Sequence, residues 1–455
     1  MNDRSLENPF TQSFRISSSI LILIVAASLC FVVSPLMVLA PFAAGTVLWM
    51  IFRRPVSMLG AALAFMPIDY MAIELGKFFG LPHMTLVSVL DKEVLLLLLG
   101  FILWRRNGFK PTAPDWFLLA CFVLAAVRTV IDGTLVGLWG DFNFILPYFV
   151  GRVVILTQKQ EVLWARCAVW IAAVLSVLGL IEVFILGEGP RTLLYMATDA
   201  EAEGGALSGS FHGTGFTGLR EAATMVGPNG FGALCMIALI TWWVYCRNPL
   251  PAGMITVGLV CSLTRSAWLG AVAAIPLLAF AMGQKKRLAL YVTLALALFV
   301  ASIPVLDLSD FLLSTKRGQD TSAEGHRNEI LAGVKYAADH PFGSGNSELS
   351  PGAFKQNSNA TGFETTYPQL AAEYGMAVVL CFVSFLFSTL SLVWRKPSQL
   401  GYVAVGILVG ISLVMIVTLP LVDRRLSCWA LFPIGLAVRS TTSASEELAL
   451  SESGV

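Results

Sequence analysis

Apolar runs long enough to cross a lipid bilayer recur along most of this 455-residue chain, and they restrict its fold more than any other feature. A membrane-spanning helix needs about 20 predominantly apolar residues, because the hydrocarbon core of a bilayer is roughly 30 Å thick. Charged residues make up only 13% of the chain, against roughly 25% in ordinary soluble domains. The sequence therefore predicts an all-α, polytopic integral membrane protein.

Hydropathy predicts about 12 to 14 membrane-spanning helices. The stronger spans are residues 17–33, 35–52, 56–74, 85–104, 114–131, 163–186, 225–246, 250–264, 266–283, 286–305, 375–394 and 400–419. Two weaker spans are 140–156, which Arg152 interrupts, and 426–438. We expect the first span to be retained rather than removed as a signal peptide. The eight cysteines lie inside apolar runs without a CxxC pair, which predicts small buried side chains rather than disulfides.

Basic residues occur in alternate connections between the spans, which sets the predicted orientation. Lys and Arg are retained on the cytoplasmic side of membrane proteins, so this alternation predicts two cytoplasmic termini. The predicted organisation is then spans over 1–305 with an outer loop at 187–224, a large periplasmic loop at 306–374, spans over 375–440, and a cytoplasmic tail at 441–455.

Arg265 is the only charged residue between Leu250 and Gly283. A charge in an apolar run is costly, and one interpretation is an arginine that extends to the membrane surface. The predicted orientation, however, puts Arg265 on the face that should be poor in positive charge, next to Ser262, Thr264 and Ser266. The planar guanidinium, which is always charged, suits phosphate binding.

A second candidate anion site begins a predicted span at Gly227-Pro228-Asn229-Gly230, shortly after Arg220. Pro and Gly at the start of a helix leave backbone N–H groups facing outward, where an anion can bind. The alternative is an ordinary helix entry, in which Arg220 pairs with Glu221 on the surface.

The loop at 306–374 contains an amphipathic helix, predicted to bury Ile330, Val334 and Ala337 or Ala338 and to end at Pro341. Its polar side chains are either solvated or functional; they are His326, Arg327, Asp339, His340, Glu364, Tyr367 and Glu373. No HExxH, Cys/His or GxSxG pattern occurs, so we predict no metal and no cofactor. The acidic pair in Asp91-Lys92-Glu93 indicates a structural charge cluster.

Four short motifs occur in the order that characterises one family: "GPNGFGA" (227–233), "LTRSAWLGA" (263–271), "HRNEILAGVKYAADHPFGSG" (326–345) and "ETTYPQLAAEYGM" (364–376). With this topology, the chain resembles the bacterial O-antigen ligase and polymerase superfamily. Its members are membrane glycosyltransferases of the C-type fold that act on undecaprenyl-pyrophosphate-linked glycans.

The resemblance implies that Arg220 and Arg265 bind the donor pyrophosphate. Ligases of the family carry His-Asn at the start of the last motif, where this chain has Glu364 and Thr365. That departure favours a polymerase over a ligase that acts on lipid A–core. A carboxylate can also serve as the base that deprotonates an acceptor hydroxyl. Glu364, His326 and His340 all remain candidates for that base.

The predicted enzyme is a metal-independent, inverting glycosyltransferase with Glu364, Arg265 and Arg220 in catalysis. Substrate contacts are expected from Arg327, His326, His340, Tyr367 and Asn229. Its expected partners are the lipid-linked oligosaccharide donor, a growing polysaccharide or lipid acceptor, the bilayer and a chain-length regulator protein, with no nucleic acid. A transporter or flippase for lipid-linked glycans is the alternative from another class, but it would carry charges at mid-membrane depth.

Overall fold

The computed structural model describes residues 46, 49–79, 93–132, 135–187, 223, 225, 227–305, 321–345, 365–395, 398–421 and 423–452. The chain divides into two compact units, Met1–Leu59 and Gly60–Val455. The first contributes only residue 46 and residues 49–59 to the description. Everything that follows concerns the second unit, apart from the first residues of helix α1.

The described residues form helices, and no strand occurs among them. The helices are α1 (Pro55–Phe78), α2 (Leu95–Asn107), α3 (Ala113–Asp132), α4 (Leu135–Phe142), α5 (Ile145–Val153), α6 (Gln158–Ile181, continued by a π-helical turn, Glu182–Leu186), α7 (Pro228–Tyr245), α8 (Pro249–Cys261), α9 (Arg265–Ala281), α10 (Lys285–Val305), α11 (Thr321–Asp339), α12 (Thr366–Tyr374), α13 (Met376–Arg395), α14 (Gln399–Val414) and α15 (Arg424–Glu452).

Five of the described helices are long and apolar enough to cross a membrane. They are α1, α3, α6 with its π-helical turn, α7 and α13; three shorter apolar helices, α8, α9 and α14, accompany them. The polytopic, all-α architecture is therefore confirmed.

Three of the apolar helices begin at a residue whose side chain caps the helix. Thr157 caps α6 through a capping box with Gln160, and Ser398 accepts a hydrogen bond from the Gly401 amide at 2.9 Å at the start of α14. Asn248 caps α8 in the same way, just before Pro249.

One end of the second unit, which we call the basic end, holds the connections that follow α2, α5, α7 and α9. Asn107 Nδ2 donates to Val153 O at 2.8 Å, and Arg439 donates to Asn107 O at 3.0 Å. Arg287 donates to Trp243 O at 2.7 Å and to Cys246 O at 2.6 Å. These arginines supply the donors that the last carbonyls of a helix lack.

The opposite end, which we call the site end, holds the break between α4 and α5, the start of α7, the α8–α9 turn, α12 and the α14–α15 turn. Helix α7 is the central helix, since it packs against α6, α8, α9, α14 and α15. Glycines allow the closest crossings: a Cβ on Gly435 of α15 would lie 2.1 Å from Tyr148 O of α5, and one on Gly270 of α9 would lie 2.9 Å from Gly410 O of α14.

The structure departs from the sequence-based expectations in four details. Cys167 is exposed, and Cys246 and Cys381 are only half-buried, although the cysteines were expected to be buried. The weak span 140–156 is two short helices, α4 and α5, interrupted at residues 143–144. The buried face of α11 includes Ala337 as predicted, but Val334 is 61% exposed because Gly333, one residue earlier, faces inward instead. Helix α15 continues to Glu452, past the boundary drawn at residue 440.

Candidate functional site

The turn between α8 and α9 is a tight backbone structure built by small polar residues. Leu263 has a φ of 52°, a left-handed conformation that is rare for a non-glycine residue. Ser262 Oγ donates to Leu259 O at 2.7 Å and accepts from the Thr264 amide at 3.3 Å. Trp268 Nε1 donates to the same carbonyl at 2.7 Å, which fixes the first turn of α9.

This turn packs directly on the first turn of α7. Thr264 Oγ1 donates to Pro228 O at 3.0 Å and lies 3.5 Å from Asn229 Oδ1. A Cβ on Gly232 would lie 2.7 Å from Thr264 Cβ and 2.8 Å from Ser262 Oγ, so only glycine permits this approach. Two of the predicted motifs, "GPNGFGA" and "LTRSAWLGA", thus meet in space.

The contact leaves two adjacent helix N-termini without side-chain caps. Gly227, the N-cap of α7, has no side chain, and the Thr264 hydroxyl at the N-cap of α9 is used elsewhere. Neither helix has an acidic residue in its first turn. Arg265 is the first residue of α9 and is half-buried, while Asn229 is exposed. Uncapped amides, two helix dipoles and one guanidinium together favour an anion.

Two arginines that sequence reasoning missed, Arg424 and Arg425, begin α15 at the same end. Arg425 pairs with Asp69 of α1, and its guanidinium lies 5.1 Å from the Tyr70 ring centre. Arg424 pairs with Glu93, just before α2. Glu93 therefore has the structural role predicted for the acidic pair that contains it.

Asp423 links this arginine pair to the start of α7. Its Oδ1 accepts a hydrogen bond from the Arg425 amide at 3.0 Å, and so caps α15. Its Oδ2 would lie 3.1 Å from a Cβ on Gly230. The first turn of α7 is thus flanked by Thr264 and Arg265 on one side and by the start of α15 on the other.

The third and fourth motifs meet through backbone hydrogen bonds. The Ser344 amide donates to Ala372 O at 2.8 Å, the Gly345 amide to Glu373 O at 2.9 Å, and the Met376 amide to Pro341 O at 3.0 Å. Gly343 (φ 74°) and Gly375 (φ 92°) make this approach possible, since a Cβ on either would collide with the facing backbone. The segment after α11 therefore caps the end of α12.

A buried polar cluster joins α12 to the end of α4. Tyr374 Oη donates to Asp141 Oδ2 at 2.7 Å, and Gln369 Nε2 donates to Glu373 Oε1 at 2.9 Å and to Asp141 Oδ1 at 3.4 Å. Asp141 and Glu373 are 6% and 0% exposed. Burial, and then the neighbouring Asp141 carboxylate, raise the pKa of Glu373 well above its usual range.

The first turn of α12 is tied to the end of α14. The Thr366 amide donates to Met415 O at 3.1 Å, and its hydroxyl donates to Thr418 O at 2.8 Å. Tyr367, the next residue, is half-buried with its ring 6.3 Å from that of Phe382.

Of the predicted site residues, the structure brings Asn229 and Arg265 together. Arg327 and His340 are exposed near opposite ends of α11, where the His340 ring stacks on Tyr336 at 4.3 Å. His326 lies in the first turns of α11. Arg220 and Glu364 lie outside the described residues.

Comparison with known families adds one finding. Residues 250–383 match the family model of the O-antigen ligases. This match confirms the predicted resemblance to the O-antigen ligase and polymerase superfamily. It covers the Arg265 turn, α11, its capping segment and α12, but neither the start of α7 nor the start of α15. No curated protein sequence matches the chain.

Proposed function

We propose that this protein is a bacterial inner-membrane glycosyltransferase that polymerises undecaprenyl-pyrophosphate-linked oligosaccharide units at the periplasmic face. The observation that carries the proposal is the contact between the start of α7 and the Thr264-Arg265 turn, which belongs to the part of the chain that matches the O-antigen ligase family model. The positive-inside rule orients the site end towards the periplasm.

The donor pyrophosphate would bind where α7 and α9 begin. Negative charge develops on the leaving pyrophosphate as the glycosidic bond breaks, and Arg265 with the uncapped amides would stabilise that charge. Because the hydrogen bonds of Ser262, Thr264 and Trp268 fix the backbone of this turn before the donor arrives, little reorganisation of the amides is needed during transfer. Arg220, close before α7 in the sequence, would add a second cation.

The acceptor hydroxyl must lose its proton to a base on the opposite side of the reacting carbon. Glu364 is our candidate, since in the sequence it lies two residues before α12, whose first residue is hydrogen-bonded to the segment that ends α14. An in-line displacement of this kind inverts the anomeric centre, as in inverting glycoside hydrolysis. Arginines in place of a divalent cation would make the reaction independent of metal.

We favour a polymerase because Glu364 occupies the position of the ligase histidine. The ligase alternative predicts transfer to lipid A–core. Arg327, His340 and Tyr367 would contact the glycan, and a chain-length regulator would act on the polymerase from outside the catalytic site.

Purified protein in nanodiscs, with a lipid-linked oligosaccharide donor and EDTA, tests the proposal. A polymerase yields a ladder of glycans and releases undecaprenyl pyrophosphate, and addition of lipid A–core does not alter the ladder. Transfer only to lipid A–core would establish a ligase. Movement of labelled lipid across liposomes without glycan transfer would establish the transporter and overturn the proposal.

A further inference from the structure

Asp141 and Glu373 are two buried carboxyl groups that share one amide donor: Gln369 Nε2 donates to Glu373 Oε1 at 2.9 Å and to Asp141 Oδ1 at 3.4 Å, and each carboxyl shifts the pKa of the other. Among the described residues, no Lys, Arg or His side chain forms an ion pair with either carboxyl group. Glu373 Oε2 is buried and receives no hydrogen bond from any N–H or hydroxyl group of those residues.

Two carboxylates in contact, both without a cation, cannot both be ionised in a buried site, because their repulsion and desolvation are too costly. A proton held between them removes the repulsion and gives Glu373 Oε2 a hydrogen-bonding partner. The donors of Tyr374 and Gln369 then satisfy the remaining oxygens.

We propose that Asp141 and Glu373 share one proton, and that this carboxyl–carboxylate hydrogen bond positions α12 against the α4–α5 break. Both are positioning residues, since they are buried and act through α12. The role in transfer rests on the proposed function, whereas the shared proton does not.

Other titratable groups lie on the elements that pack against α12 and α4. They are Asp115, Cys121 and Arg128 on α3, Arg327, Glu329, Lys335, Tyr336, Asp339 and His340 on α11 with the residue after it, and Cys381 and Arg395 on α13. None of them is among the groups that influence either carboxyl; those are the partner carboxyl, Tyr374 and Gln369. Within the part of the chain that the structure describes, the two carboxyl groups accept hydrogen bonds from Tyr374 and Gln369.

The pH dependence of stability follows from the raised pKa of Glu373. A group that holds its proton more tightly in the folded protein contributes fully below its unfolded pKa, about 4.3 for glutamate. The contribution is lost as pH rises towards the folded pKa. Wild-type Tm should therefore fall as pH rises from 5, until the pair has ionised.

The test compares the wild type with Glu373→Gln and Asp141→Asn, measured as Tm against pH in nanodiscs. Either amide supplies an N–H in place of the shared proton, so we expect each variant to lose the decline in Tm. Glu74→Gln is the matched control, because Glu74 is a buried glutamate paired with Lys77 at 2.7 Å; it should keep the decline. If the curves of Tm against pH ran parallel for the wild type and both variants, the shared proton would be overturned. The two variants are independent tests, so the experiment still decides if one of them fails to fold.

Glycan transfer then tests the positioning role. Glu373→Gln should retain most of the wild-type kcat, and it should retain activity at alkaline pH where the wild type declines. Glu373→Ala should lose about 10²-fold in kcat with little change in donor KM, as expected when a base is displaced. Equal losses in both variants would show that the acid itself is required and would contradict positioning. A wild type inert with every donor would refute the proposed function, while the Tm curves would still decide the shared proton.

Discussion

The Thr264 hydroxyl has a different partner from that of an ordinary N-cap residue. It donates to the α7 carbonyl of Pro228 rather than accepting from the first-turn amides of α9. One hydroxyl thereby joins two helix starts, and neither N-cap residue hydrogen-bonds through its side chain to the amides of its own helix. Arg265, next in the chain, stands beside them.

Gly232→Ala tests whether this close approach sets up the site. The new Cβ would lie within 2.8 Å of Ser262 Oγ, so we expect a loss of about 1–3 kcal/mol in stability and a higher donor KM. The matched control is Gly253→Ala on α8, where no neighbouring atom lies within 4 Å. Thermal unfolding measures the loss of stability, and donor titration measures KM. If Gly232→Ala and Gly253→Ala behaved alike in both measurements, the close approach at Gly232 would have no role in the site.

Arg265 could be recognised from the sequence because it is isolated in an apolar run, whereas Arg424 and Arg425 could not. The acidic partners of these two arginines lie 331 and 356 residues away in the chain. Composition gives no information on pairing over such a separation. The pairing of Asp141 with Glu373 was hidden for the same reason, since a carboxylate reveals its partner only in the folded protein.

At the scale of helices, ion pairs hold the start of α15 against α1 and against Glu93, two residues before α2. Asp69 is fully buried and the Arg425 side chain is 11% exposed, whereas Arg424 is 33% exposed. Removing one partner of a buried ion pair leaves the other charge buried without its counter-ion, which destabilises the fold. An ion pair that is exposed to water contributes little to stability.

We therefore expect Arg425→Gln to destabilise the protein by about 3–5 kcal/mol, because Asp69 would remain buried without its partner. Arg424→Gln should cost less than Arg425→Gln, because the Glu93 side chain that it leaves is 9% exposed whereas that of Asp69 is fully buried. A double-mutant cycle with Asp69→Asn checks the cause by chemical denaturation in detergent. If Asp69→Asn fails to recover part of the Arg425→Gln loss, the ion pair is not what holds these helices together.

Helix positions followed from hydropathy because each membrane helix must satisfy its own backbone hydrogen bonds over an apolar length. The interruption at residues 143–144 and the exposure of Val334 did not follow, since both depend on what packs against the helix. The motif glycines Gly343 and Gly375 were visible in the sequence. Only the fold shows that they allow one backbone to cap the other.

For the molecule as a whole, the helix ends sort into a basic end and a site end, and the proposed function requires the site end to face the periplasm. Asn229→Cys at the site end and Lys285→Cys at the basic end are both exposed positions that report on this orientation. In cells whose outer membrane alone is made permeable, a membrane-impermeant maleimide should label Asn229→Cys but not Lys285→Cys. The parent protein is the control for labelling of the native cysteines. The reverse pattern would contradict the orientation.

The most direct test of the account is glycan transfer by Arg265→Gln in nanodiscs with EDTA, alongside the wild type and Lys285→Gln from the basic end. The account predicts a loss of about 10²–10³-fold in kcat for Arg265→Gln, as for removal of one preorganised donor to a developing negative charge. Lys285→Gln should match the wild type. Full transfer by Arg265→Gln would contradict a pyrophosphate site at the start of α9.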